Sequence, residues 1–220
     1  MKDTRLMQCV LLMAISLVRP PCALAGPIAV DRIVASMQGV GVITSLQLVR
    51  YTAVDMVYEK GYERALLDAD MADDLFMRGS LNKLIDRMLI LKDARLLSIR
   101  PPGREALEGM VRQFGKRFGS GAEYDGFMKR YAVTPAYLYK FMSDELVVRQ
   151  YVYDEIKILV KISDRDVASY YANNRQEFKG QGRAVAYQRI RDMLEEKKYD
   201  EELRAWIKTL SLHREIIIMY

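Results

Sequence analysis

Four carboxylates, Asp68, Asp70, Asp73 and Asp74, stand within a short span and are a natural place to look for cation chemistry. A calcium loop needs a glycine at its sharp turn and a distal glutamate to close it. Neither follows here, so the four read as residues decorating a helix start. His213 is the only histidine. General acid or base work requires a positioned partner within hydrogen-bond reach, and the neighbouring sequence offers none, so His213 reads as structural. The two cysteines are Cys9 and Cys22. There is no phosphate-cradling glycine loop with its lysine, no G-x-S-x-G and no zinc-ligand spacing. These absences argue against enzymes that depend on cysteine pairs, several histidines or a phosphate loop, and leave open a hydrolase built on carboxylates alone. No residue is nominated for catalysis, for a cofactor or for a metal.

Binding chemistry is better represented. The chain has 13 Met and 14 Tyr, and of the methionines only Met1, Met7 and Met13 fall in the first 25 residues. Methionine is flexible and polarisable and recurs where varied apolar partners are accepted. Tyrosine gives a large amphipathic contact with few torsions to freeze. Together they suit a surface that holds unfolded polypeptide, and they equally suit the core of a helical protein. The net charge is +5, with Arg, Lys, Asp and Glu interspersed and no basic tract. That is a mixed, solvated surface and not a nucleic-acid footprint.

Residues 1–25 have the layout of a secretory signal. Lys2 and Arg5 precede an apolar run from Leu6 to Val18, which is too short to span a bilayer comfortably. Arg19-Pro20-Pro21 ends the run, and Ala23-Leu24-Ala25 supplies the small-residue cleavage pattern before Gly26. Both cysteines leave with this segment, so the mature chain is expected to have no disulfide. The remaining residues, 26–220, suffice for one domain. No second apolar stretch is long enough to cross a membrane.

The elements that must position any binding surface are mostly helices. Arg32 to Thr44 reads as two short strands around a Gln38-Gly39 turn. Thr44 or Ser45 caps a helix running to about Tyr62. Leu81, Leu84, Ile85, Met88 and Leu91 recur at helical spacing. So do Leu107, Met110, Val111, Phe114 and Phe118, and so do Tyr124, Phe127, Met128 and Tyr131. Thr134-Pro135 opens a helix to about Val160, apolar around so much of its girth that it should be central. Ser163 to Asp166 reads as a capping box with Asp in the place of Glu, opening a helix that carries Val167, Tyr170, Tyr171 and, near its end, Phe178. After Gly180-Gln181-Gly182 a further helix carries Tyr187, Ile190, Leu194, Tyr199, Leu203, Trp206, Ile207 and Leu210. Trp206 is expected to anchor it. Ile216-Ile217-Ile218 reads as a strand buried on both faces. The only strands it can join are the two near the N-terminus.

In this order the segments resemble the SurA family of periplasmic chaperones. VDRIVASMQGVGVITSLQL is similar to the family's opening strand, turn and first helix, although Gln38-Gly39-Val40 stands where the family has Asn-Gly-Glu. LNKLIDRMLILKDARLLSI, ISDRDVASYYANNRQEF and YDEELRAWIKTL resemble three further segments, the last being the family's closing helix. The resemblance implies a mainly α fold: a multi-helix chaperone domain whose small β-sheet joins an N-terminal hairpin to the C-terminal strand. It implies a module over 26–178 closed by the helix and strand of 183–220. Family members insert a parvulin-type prolyl isomerase after the segment matching Phe178. Here Lys179 leads straight through the glycine joint into the closing helix, so no isomerase activity is expected. The implied function is a periplasmic, ATP-independent holdase for unfolded polypeptides, outer-membrane proteins above all. Tyr137, Phe141, Tyr151, Tyr170 and Tyr171 are the nominated polypeptide-binding residues. An alternative is a structural or adaptor subunit that binds one folded envelope partner.

Overall fold

The structure is a computed structural model that describes residues 31–97, 99, 103–212 and 214–219. The signal expected over 1–25 and His213 lie outside the described residues. Two strands, β1 (Ile33–Met37) and β2 (Gly41–Thr44), form an antiparallel hairpin. Gly39 takes a φ of +70° in the turn between them, a left-handed conformation that glycine adopts without strain. Helices follow: α1 (Ser45–Lys60), α2 (Arg64–Ala72), α3 (Asp74–Leu96), α4 (Arg104–Gly115), α5 (Gly121–Arg130), α6 (Pro135–Lys157) and α7 (Asp164–Asn173). A 3-10 turn at Arg175–Phe178 leads to α8 (Arg183–Ser211) and the last strand, β3 (Ile216–Ile218). The protein is therefore mainly α with one small sheet, in the order β2-β1-β3, that joins the hairpin to the C-terminal strand.

Side-chain caps set the helix starts. The hydroxyl of Thr44 accepts from the Gln47 amide, and that of Thr134 accepts from the Tyr137 amide. Each satisfies one of the amides that a helix N-terminus leaves unpaired. Ser163 and Asp166 form the expected reciprocal box: Asp166 N donates to Ser163 Oγ at 3.2 Å, and Ser163 N donates to Asp166 Oδ2 at 2.9 Å. The acidic group divides between elements. Asp73 caps α3, and Asp68 on α2 meets Arg130 at 2.7 Å and accepts from the Tyr131 hydroxyl at 3.1 Å.

The core is laid out as three apolar clusters. The first gathers the inner face of the sheet, α1, much of α3, and residues of α4, α5 and the start of α6. Inside it Phe114, Phe118 and Phe127 stack at centroid separations of 5.3 to 6.0 Å, in tilted and edge-to-face geometry. The second joins the ends of α3 and α6 (Ile90, Ala94, Tyr151, Val152, Ile156) to α8. The third packs Val167, Phe178, Ala186 and Ile190. As expected from its apolar girth, α6 has several neighbours. It packs on α3, α4 and α8, and its Phe141 ring also meets Tyr51 and Tyr58 of α1.

Three expectations need correction. β3 is not buried on both faces: Ile217 and Ile218 are 48% and 51% exposed, and Ile217 shares a face of the sheet with the exposed Val42. The isoleucine run specifies extended backbone through its branched side chains, but burial needs cover that this position lacks. The helix at Asp164 stops at Asn173 and leaves Phe178 on the 3-10 turn, where Asn174 donates its side-chain amide to the Tyr170 carbonyl at 2.9 Å. Asparagine competes in this way with the helical ladder. α6 ends at Lys157, short of Val160. Trp206 is half-buried and packs edge-to-face on Tyr151 at 5.3 Å.

Candidate functional site

A recess of about 230 Å³ lies among the hairpin turn, α1, α3 and α6. Helical spacing aims each contributor. Leu84, Met88, Leu91 and Arg95 follow one another along one stripe of α3, and Tyr137, Lys140, Phe141 and Asp144 form a stripe of α6. Gln47 and Tyr51, four residues apart on α1, complete the wall, with Val40 at the lip. The cap at Thr134 fixes where α6 begins, and so which of its side chains face α3.

The floor is mainly apolar, with one ion pair at its base. Burial pushes the Tyr137 phenol up to about 12, and it raises that of Tyr51 further. Neither ionises at ordinary pH. Arg87 of α3 lies at the base, buried. Its guanidinium pairs with Glu145, donates to the Phe141 carbonyl at 2.8 Å and sits 4.6 Å from the centre of the Phe141 ring. Its charge is thus paired, and its two terminal nitrogens each have an acceptor. The rim differs. Lys140 reaches Asp144 at 2.7 Å and Arg95 reaches the same carboxylate at 4.0 Å, while Lys92 stands beside them. Three cations against one carboxylate leave the mouth positive. An apolar cup with a cationic rim can take one large apolar side chain and favour a neighbouring carboxylate.

Of the nominated residues, Tyr137 and Phe141 both line this recess. Phe141 is buried and presents little of its ring. Tyr151 lies elsewhere, buried in the second cluster, and its hydroxyl donates to Asp93 at 2.6 Å. Tyr170 and Tyr171 flank Phe178 in the third cluster, at 6.4 and 6.0 Å between ring centres. The five are therefore divided among three places. Sequence reasoning missed Tyr51, Arg87, Lys92 and Arg95. Met88 was visible in the α3 periodicity, but not as part of a recess.

Among the described residues, no group of His, Cys, Asp and Glu side chains is placed to hold a metal ion, and no helix is long and apolar enough to cross a membrane. The chain matches no known family model, and no curated protein matches it. The likeness to the SurA family rests on the four quoted segments alone.

Proposed function

We propose that the protein is an ATP-independent holdase that takes apolar side chains of unfolded polypeptides into the recess among α1, α3 and α6. The observation that carries this reading is the lining itself: the half-buried Tyr137 ring and the adaptable Met88, over buried Tyr51, Phe141, Leu84 and Leu91, under a positive rim. A client phenylalanine or leucine burying roughly 100 Å² there contributes about 2–3 kcal/mol at 25 cal/mol per Å². Ordering the client offsets much of that. The result is weak binding with fast release, as a holdase requires. The signal layout and the SurA-like segments favour a periplasmic setting and outer-membrane clients.

The test is light scattering. A urea-unfolded β-barrel membrane protein and an unrelated unfolded soluble protein are each diluted into the chain without ATP. Suppression of both aggregations at near-stoichiometric amounts is the expected result, and suppression of neither overturns the reading. Met88→Glu puts a carboxylate into the cup and is expected to weaken suppression roughly tenfold, since a client side chain cannot solvate it. Undiminished activity of that variant places the client elsewhere.

A further inference from the structure

The register of β3 determines which of its backbone groups are already paired. At the two ends of the β1–β3 ladder, Gln38 N donates to Glu215 O at 3.0 Å and Met219 N donates to Val34 O at 2.8 Å. Hydrogen-bonded positions in an antiparallel pair recur at every second residue. Glu215, Ile217 and Met219 therefore turn their amides and carbonyls towards β1, and Ile216 and Ile218 turn theirs away. No described strand lies on that side. Natural edges are guarded by lysine, proline, inward charge, a bulge or by being very short. β3 is short, at 3 residues, but the run Ile216–Met219 carries no lysine, proline or charge, and Ile217 and Ile218 are half exposed.

Two residues with free groups, one on either side of Ile217, make an edge that is symmetrical about Ile217. We propose that β3 pairs antiparallel with β3 of a second copy of this chain, across a two-fold axis at Ile217. In that register Ile216 of each copy faces Ile218 of the other, and every free amide and carbonyl of the two residues finds a partner. Ile217 meets its own counterpart as a close, non-hydrogen-bonded pair, the geometry in which β-branched side chains touch best. Ser36 stands between Val42 and Ile217 in register. The exposed Val42 and Ile217 of one copy thus lie in one row with Ile217 and Val42 of the other, interrupted only by Ser36 of each copy. An unfolded chain offers the same backbone, but only a second copy brings isoleucine opposite isoleucine on both faces at once. The contact is small beside the ~1,200–2,000 Å² of stable complexes, so the dimer is reversible and depends on concentration.

Disulfide trapping tests the register. With Cys9→Ser and Cys22→Ser the chain has no thiol. Ile217→Cys on that background is expected to give a covalent dimer under mild oxidation. Ile216→Cys lies two residues along the strand from its own counterpart, outside bridging range, and should cross-link roughly tenfold less. In sedimentation, the mass of the chain should rise with concentration towards that of a dimer. Ile217→Lys, whose like charges would face each other, should stay a monomer with an unchanged near-ultraviolet spectrum. Equal cross-linking at both positions, a monomer at hundreds of micromolar, or a dimer that survives Ile217→Lys would overturn the proposal. So would protection of the Ile216 and Ile218 amides by an extended apolar peptide while the protein remains a monomer, because the edge would then belong to a client strand.

Discussion

At the scale of single residues, Arg87 holds the recess together. One guanidinium serves Glu145, the Phe141 carbonyl and the Phe141 ring, and so fixes α3 to α6. Removing its counter-charge leaves a buried cation. Glu145→Ala is therefore expected to cost about 3–5 kcal/mol in urea unfolding. Arg87→Met combined with Glu145→Leu should recover most of that, because the two desolvation terms vanish together. Asp55 on α1 carries a different kind of penalty. Burial holds its carboxyl above the ordinary value, and Lys83, 3.8 Å away, only partly opposes this. Between the ordinary and the raised values the folded state keeps a proton that the unfolded state has released. Stability then falls as pH rises through that window, and the penalty is complete above it. Asp55→Asn is expected to raise the melting temperature at neutral pH, with the gain disappearing below about pH 4, where both states are protonated.

At the scale of elements, the helix starts carry local information. Thr134 is a threonine followed by proline, and its hydroxyl caps the helix as that pair implies. Thr134→Ala is expected to lower stability by about 1 kcal/mol in thermal or chemical unfolding, the usual worth of such a cap. Thr44 and Ser163 were legible for the same reason: each cap involves residues only three positions apart. Helix ends were less so. α6 stops short of Val160 and α7 short of Phe178, because where a helix ends depends on what its last turn packs against as well as on propensity. The site was half legible. Tyr137 and Phe141 share a stripe of α6, which periodicity reveals. That this stripe meets solvent beside Met88 and Tyr51, while Tyr151 on the same helix is sealed under Trp206, depends on how α1, α3 and α8 pack around it. A helix apolar over most of its girth does not say which neighbour covers which stripe. The isoleucines of β3 make the same point: their type specified a strand, and their position in the sheet left them uncovered.

At the scale of the whole molecule, α8 runs past two of the three clusters and touches the remaining one. Ile190 and Leu194 belong to the third, Trp206 and Ile207 to the second, and Leu210 packs against both the second and the first. Cooperative unfolding therefore depends on one helix staying continuous. Glu196 is exposed between these contacts. Glu196→Pro removes no core side chain but breaks the ladder, at a cost of about 3 kcal/mol or more. The expected signature is a second transition in denaturant, with the region around Val167 and Phe178 melting before the sheet and α1. A single transition at lower denaturant would show that the clusters cooperate without α8.

The pairing of β1 with β3 also bears on how the protein is made. Its partners stand about 180 residues apart, so their contact is among the last that loop closure allows. During vectorial synthesis β1 emerges early and waits with one edge bare until β3 follows. A nascent chain that stalls before Ile216 keeps that edge open and is vulnerable to pairing with any neighbouring strand. Arrival of β3 thus acts as the closing step for the sheet.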